Sequence, residues 1–129
     1  MENLITHNFK FAEFFCKDGT PVPEHLYYNM RIMAGALECL RGWFQSPITI
    51  NSAYRTERYN TKVGGAKNSY HKTMQAVDIV VKNAPAPVVA EVIYSFMQKK
   101  LIPEGAVILY NNFVHYDMRG YIIKLDYRK

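Results

Sequence analysis

The sequence predicts an α+β fold, in which helices pack on one face of a mostly antiparallel sheet. Two long segments repeat apolar residues at every third or fourth position, which is the period of an amphipathic helix. The chain then closes with three short runs of strand-forming residues separated by turn residues, as in an antiparallel meander. A chain of 129 residues suits one domain with one hydrophobic core, so we expect a single domain over residues 1–129.

The first half of the chain begins with an aromatic segment and a long helix. Residues 8–15 are expected to form either a short helix or an aromatic anchor, and the Gly- and Pro-containing loop "KDGTPVP" follows. The first long helix is predicted over residues 24–44, opening after Pro23. Its apolar stripe is explained by core packing and comprises Leu26, Met30, Met33, Leu37, Leu40 and Phe44.

The centre of the chain is predicted to hold two strands and a short helix. Residues 47–54 alternate apolar and polar side chains, which favours a strand. A short helix then begins at the N-cap candidate Thr56 and ends at Gly64-Gly65. The polar loop "AKNSYHKTM" leads into a buried strand over residues 75–81.

The second half adds the other long helix and the closing strands. Residues 88–101 carry seven apolar residues on one helical face. Three short strands follow, "GAVILY", "FVHYDM" and "YIIKLDYR", with turn residues between them.

Composition narrows the classes of function. The chain is 49% hydrophobic and 21% charged, which indicates an ordinary globular protein and not a disordered one. The net charge of +5 favours anionic partners, but the basic residues form no tail or stripe, so we expect a solvated mixed surface and no nucleic-acid partner. Cys16 and Cys39 form no CxxC pair, and two buried thiols are expected, with one disulfide as the alternative.

No targeting or membrane segment is recognised in the sequence. The segment "MENLITHNFK" lacks the basic-then-apolar pattern of a signal peptide, and no apolar run approaches the length of a membrane span. We therefore expect a protein that is made in the cytoplasm and does not insert stably into a membrane. We also expect it to be a monomer.

A carboxylate stands inside the predicted strand "QAVDIVV", where an ionised Asp needs a cationic partner. Asp78 lies on one face of that strand, and His115 and Asp117 share a face of "FVHYDM". If the two strands are neighbours, Asp78 and His115 converge, and His71 reaches the same point from the preceding loop. Two imidazoles and a carboxylate suit a catalytic zinc ion with a fourth position left for water. The alternative from spacing alone is that these are ordinary hydrogen-bonded core or rim groups.

Three motifs of the chain, in order, resemble one peptidase family. Ser69, His71, Ala76 and Asp78 match the signature SxHxxGxAxD, "ITINSAYRTERYN" is similar to a strand followed by SGYR, and "FVHYDMRG" is similar to an FVHxDxRG ending. The family is that of the zinc D-Ala-D-Ala carboxypeptidases and L-alanyl-D-glutamate endopeptidases, which includes VanX-like dipeptidases, phage endolysins and the hedgehog signalling domain. The resemblance runs from about Ile48 to Gly120.

The resemblance implies a function and a site. It implies that His71, Asp78 and His115 bind Zn²⁺, that Arg55 lies in the cleft, and that the substrate is a peptide of bacterial peptidoglycan. The expected activity is that of a zinc peptidase of the carboxypeptidase or endolysin type. The place of action is then the bacterial cell wall, reached either as a phage or prophage lysin or by another export route.

Three further residues have two open roles each. Arg55 either holds a carboxylate or oxyanion of the substrate, or forms an ion pair with Asp117. Ser69 either binds substrate or only caps its loop. Asp117 either serves as the general base or orients a ligand histidine.

Two residues depart from the family pattern. Met74 stands where the signature has Gly, so either the turn differs or Met74 leans into the cleft. Asn112 stands where many members carry a Glu or Asp as general base, and an amide cannot take a proton. These departures support an alternative function, a catalytically weak or inactive zinc-containing module that binds cell-wall peptide or another partner.

Overall fold

The computed structural model describes residues 3–129, so the first two residues of the predicted domain lie outside the description. Residues 3–129 form seven strands and three α-helices, with short 3₁₀ helices at residues 11–14, 24–26 and 70–73. Their bounds are β1 Leu4–Thr6, β2 Phe9–Lys10, α1 Tyr27–Phe44, β3 Ile48–Ser52, α2 Glu57–Lys62, β4 Ala76–Val81, α3 Ala86–Gln98, β5 Ala106–Leu109, β6 Val114–Asp117 and β7 Ile123–Asp126.

The predicted helices are present. The first long helix continues the 3₁₀ turn at residues 24–26 and ends at Phe44, and the following Gln45 adopts a left-handed conformation. The α2 helix begins as predicted, because the hydroxyl of Thr56 accepts a hydrogen bond from the backbone N–H of Tyr59 (3.1 Å). The α3 helix begins directly after Pro85 and ends at Gln98, so it starts two residues earlier and ends three residues earlier than expected.

The main sheet has five strands in the order β3-β4-β6-β5-β7, and β1 and β2 form a separate hairpin. Every neighbouring pair in the main sheet is antiparallel except β5 and β7, which run parallel. The α+β prediction is confirmed. The prediction that the last three strands form an antiparallel meander is wrong for β7, which pairs in parallel with β5.

The turn after β6 explains the parallel strand. The backbone N–H groups of Gly120 and Ile123 donate to the carbonyls of Glu104 and Gly105, at 2.9 and 3.2 Å. The chain is therefore carried past the start of β5 before β7 begins, and β7 must run in the same direction as β5. Gly105 permits this approach, since a Cβ there would lie 1.7 Å from the carbonyl oxygen of Asp117.

The two faces of the sheet have different roles. Val77 and Ile79 of β4 and Val114 and Tyr116 of β6 point into the hydrophobic core, which also contains the buried stripes of α1 and α3. Alternation along a strand places the remaining residues of β4 and β6 on the opposite face. That face carries the charged and polar side chains of the candidate site.

Met74 occupies the left-handed region in the turn before β4, with φ 57° and ψ 33°. Both alternatives drawn from the sequence are wrong here, because the turn keeps a positive φ and the side chain lies in the core and not in the cleft. A left-handed conformation costs a non-glycine residue about 1–2 kcal/mol. Complete burial of a Met side chain stabilises by about 1.5–3 kcal/mol, which offsets that strain.

The two cysteines are both free thiols, and only Cys16 is buried. The prediction of two buried thiols is therefore wrong for Cys39, which lies exposed on α1.

Within residues 3–129, none of the helices combines the length and the apolar character required to cross a bilayer.

Candidate metal centre

Two neighbouring strands bring Asp78 and His115 together. In the β4–β6 register Asp78 lies directly opposite His115, and Ala76 lies opposite Asp117. Directly opposed side chains on one face of an antiparallel pair lie within reach of each other. The Nδ1 atom of His115 accordingly lies 3.0 Å from Oδ1 of Asp78. The convergence predicted from strand alternation is confirmed.

His71 reaches the same point from the 3₁₀ helix that precedes β4. The Ser69 hydroxyl caps this helix by accepting a hydrogen bond from the N–H of His71 (3.2 Å). The Nδ1–H of His71 donates to the carbonyl oxygen of Ala53 (2.7 Å), and its Nε2 lies 3.4 Å from Oδ2 of Asp78. Because a carbonyl can only accept, this contact places the ring proton on Nδ1 and leaves the Nε2 lone pair facing Asp78.

Asp117 holds the far side of the second histidine. The Nε2–H of His115 donates to Oδ2 of Asp117 (2.8 Å). Arg119 grips the same carboxylate with its Nε and Nη2 groups, at 2.9 and 2.7 Å, and the backbone N–H of Ala106 adds a bond of 3.0 Å. Asp117 has no exposed surface, so these partners fill its surroundings.

Electrostatics keep both carboxylates ionised. Burial raises the pKa of Asp78, but the favourable interactions of its carboxylate with the neighbouring His115 and His71 rings outweigh the effect of burial and hold the pKa below its ordinary value. The pKa of Asp117 is lowered in the same way, against its burial, by His115 and Arg119. Burial lowers the pKa of His115, whereas its bonds to Asp117 and Asp78 raise it, and the net direction is upward.

The three side chains fit a zinc ion. Candidate ligand atoms of His71, Asp78 and His115 all lie within 4.8 Å of one another. The nitrogens of His115 and His71 lie 3.0 and 3.4 Å from different oxygens of Asp78, Oδ1 and Oδ2, and these distances are comparable with the ~3.3 Å ligand–ligand separation around a zinc ion whose ligands lie about 2.0–2.1 Å away. Each histidine also has its other nitrogen bonded to an oxygen acceptor, which is the usual support of a metal-binding imidazole.

Arg55 borders this group and points at Asp78. Its Nη2 lies 3.5 Å from Oδ2 of Asp78, while its Nε and Nη1 donate to Ser52 and to Asn60, both at 3.2 Å. The predicted alternative of an ion pair between Arg55 and Asp117 is wrong, because Arg119 occupies that carboxylate.

Asn60 is a buried support that the sequence did not reveal. Its side chain is 2% exposed, accepts from Arg55 and donates to the carbonyl oxygen of Ala66 (2.8 Å). Gly65 makes room for this contact, since a Cβ there would lie 2.1 Å from Oδ1 of Asn60 and 2.9 Å from Nη1 of Arg55. A polar residue in a short helix gives no sequence signal of such a role.

A cleft of about 680 Å³ opens above the three candidate ligands. One wall is the loop of residues 63–70, which includes Ser69 and Lys67. The other wall is aromatic: Tyr110 stacks on Phe113 with ring centres 4.5 Å apart and meets Tyr127 edge-on at 5.7 Å. The cleft has the size of a site for a short peptide or another small ligand.

Asn112 does not face this cleft. It lies exposed in the bend before β6 and lines two neighbouring hollows instead. Asn112, where the chain departs from the family pattern, therefore lies outside the candidate site.

All of the buried polar residues within the described residues 3–129 belong to this site: Asn60, His71, Asp78 and Asp117. The structure brings together the residues predicted from the sequence, Arg55, Ser69, His71, Asp78, His115 and Asp117. Arg119 and Tyr70 complete the surroundings without having been predicted. Arg119 is the Arg of the FVHxDxRG-like ending, and that motif was the available signal.

No curated protein matches the chain. A family model described as Peptidase M15 matches residues 7–117, a range that includes every predicted site residue. Peptidases of this family depend on zinc, in agreement with the donor set formed by His71, Asp78 and His115. The chain therefore belongs to the peptidase M15 family of metallopeptidases.

Proposed function

We propose that the protein is a zinc peptidase that hydrolyses peptide bonds in the stem peptides of bacterial peptidoglycan. The observation that carries the proposal is the arrangement of His71, Asp78 and His115 at the base of a cleft, with each histidine oriented by an oxygen acceptor. Zinc bound by these residues would activate a water molecule and polarise the scissile carbonyl group.

Arg55 is proposed to bind the substrate beside the metal. Asn60 and Ser52 hold its guanidinium group, and its Nη2 faces the candidate ligand Asp78. A planar fork of donors can bind a substrate carboxylate or stabilise the negative oxygen that develops during hydrolysis. Ser69, which caps the loop that carries His71, also lines the cleft and is proposed to contact the peptide.

Asp117 is proposed to orient His115 and not to accept the proton. It has no exposed surface, and Arg119 and the N–H of Ala106 take up the oxygens that His115 does not use. A general base must lie within hydrogen-bond reach of the water that it deprotonates. The sequence left two roles open for Asp117, and these contacts support the orienting role.

The charges of the cleft support an anionic peptide as the substrate. Lys67 lies on the rim and, among the described residues, makes no ion pair, while Arg119 is neutralised by Asp117. Lys67, and Arg55 with its longer contact of 3.5 Å to Asp78, are therefore the cations of the cleft that can meet substrate carboxylates. Stem peptides of peptidoglycan carry free carboxylates, and a protein acting on them would work at the bacterial cell wall.

One observation favours a second candidate function, that of a metal-containing module that binds the same peptides without cleaving them. The carboxylates that line the cleft are Asp78 and Asp117; the first is a candidate ligand and the second is saturated with hydrogen bonds. A cleft without a free carboxylate lacks the usual general base, which contributes about 10²–10⁴-fold in rate.

Incubation of the zinc-loaded protein with isolated cell walls tests the proposal. Release of free D-alanine would identify a carboxypeptidase, whereas new amino groups on the walls without it would identify an endopeptidase. His71→Ala should abolish release, and His25→Ala, which changes an exposed histidine outside the cleft, should not. Zinc-dependent binding to walls without any new amino group would instead establish the binding module.

A further inference from the structure

Arg119 connects the two segments that carry the candidate ligand histidines. Its Nε and Nη2 groups donate to the two oxygens of Asp117, which accepts from His115. Its guanidinium carbon lies 4.9 Å from the centre of the Tyr70 ring, a cation–π geometry. Tyr70 immediately precedes His71 in the 3₁₀ helix. The guanidinium group is thus fixed between the β6 strand and the His71 turn.

The same local motif occurs a second time in the chain, away from the site. Arg128 donates through Nε and Nη2 to Asp126 at 3.0 and 2.6 Å, with the same spacing of two residues. The environments differ, because the side chain of Asp117 is 0% exposed and that of Asp126 is 51% exposed. A buried, bidentate pair holds its geometry, whereas an exposed pair contributes little. The chain therefore contains an internal control for the Asp117–Arg119 pair.

The contacts of Asp117 show how Arg119 can affect the orientation of His115. Oδ2 accepts both from Nε2–H of His115 and from Nη2–H of Arg119, so rotation of the carboxylate would break both bonds together. A carboxylate that orients a ligand histidine typically changes metal affinity 10–100-fold when it is lost. Fixing that carboxylate fixes the direction of the Nδ1 lone pair of His115.

We propose that Arg119 is a positioning residue of the metal centre: it locks Asp117, and through Asp117 it holds His115 in the orientation that binds the ion. Its contact with Tyr70 holds the His71 turn against the same guanidinium group. This inference rests on the proposed assignment of His71, Asp78 and His115 as metal ligands.

Cobalt(II) titration of the metal-free protein provides the test, since the visible spectrum of cobalt reports the geometry of its ligands as well as the affinity. Arg119→Lys keeps the charge but loses the bidentate fork. We expect this variant to bind cobalt and zinc about tenfold more weakly, at the lower end of the range for groups that support a ligand, with an altered cobalt spectrum. Arg128→Lys, the matched control, should bind with parental affinity and spectrum.

A double-mutant cycle identifies the route of the effect. If Arg119 acts through Asp117, then Arg119→Lys should weaken cobalt binding much less in an Asp117→Asn background than in the parent. Equal losses in both backgrounds would show that Arg119 acts by another route and would overturn the proposal.

Two other results would also overturn it. One is parental affinity and spectrum in folded Arg119→Lys and Arg119→Gln, which would leave the arginine with a stabilising role only. The other is failure of both variants to fold, which would show that the residue serves the fold as a whole. A parent that binds no cobalt, or binds it equally well after His71→Ala, would refute the metal-ligand assignment itself, and the proposed role of Arg119 would fall with it; a loss of binding in His71→Ala with parental binding in the Arg119 variants would refute the role of Arg119 alone.

Discussion

Replacement of Met74 by Gly sets two effects of known size against each other. The family signature has Gly at this position, and the left-handed backbone of Met74 (φ 57°) is one that Gly adopts without strain. Met74→Gly therefore restores the residue that the turn prefers. It also removes a side chain that is 0% exposed within the core.

The sizes of these two effects decide whether Met74→Gly stabilises or destabilises the protein. Relief of the left-handed conformation should stabilise the protein by about 1–2 kcal/mol. Deletion of a fully buried Met side chain typically destabilises by about 2–5 kcal/mol, through lost burial and the cavity left behind. The difference between the middles of these ranges predicts a net loss of about 2 kcal/mol in the free energy of unfolding.

Urea unfolding followed by circular dichroism measures this difference. The control is Lys100→Gly, because Lys100 has a similar φ of 60° at the end of α3 but an exposed side chain. Its ion pair with Glu104 is exposed and long (3.5 Å), so strain relief should dominate and the variant should be slightly more stable than the parent. Unchanged or increased stability of Met74→Gly would refute the conclusion that core burial offsets the strain at this turn.

Three further predictions concern the metal centre. Gly65→Ala should displace Asn60 and release Arg55, and should destabilise the protein by about 1–3 kcal/mol. It should also raise KM for peptide more than it lowers kcat. Steady-state kinetics measures both constants, and an unchanged KM would contradict the prediction. Asp117→Asn should weaken zinc binding about 10–100-fold in chelator competition, whereas a general base would lose rate at unchanged zinc affinity. Burial lowers the pKa of His115, but Asp117 and Asp78 raise it above its ordinary value, so its proton competes with zinc to higher pH. Zinc affinity should therefore fall as the pH drops from about 8 to about 6, and a constant affinity over that range would refute this.

The α-helices and the strands of the main sheet followed from local patterns in the sequence, whereas the hairpin of β1 and β2 did not. The apolar stripe beginning at Leu26 marked the first helix, and the N-cap at Thr56 lies where the structure has it. The last strand is present as predicted, but its position and direction in the sheet did not follow, because they depend on hydrogen bonds from Gly120 and Ile123 to residues far back in the chain. Local periodicity contains no information about such pairing.

The ligand set was the part of the site that the sequence could indicate. Strand alternation placed Asp78 and His115 on faces that meet, and the signature added His71. The surroundings of each side chain could not be predicted from the sequence. Two roles were open for Asp117, and its contacts with Arg119 and Ala106 in the structure support the orienting one.

By itself, the sequence determined the α+β class, the three residues that can hold a metal ion and the family to which they point. These conclusions depend on periodicity and on residue types at fixed spacings, which can be read from the sequence without knowing which residues are in contact. Only the tertiary structure decided that Arg119 and not Arg55 pairs with Asp117, that Asn112 faces away from the cleft, and that Met74 is buried at a positive φ. Each of these depends on which side chains meet across strands and turns, and burial and hydrogen bonding there outweigh local preference.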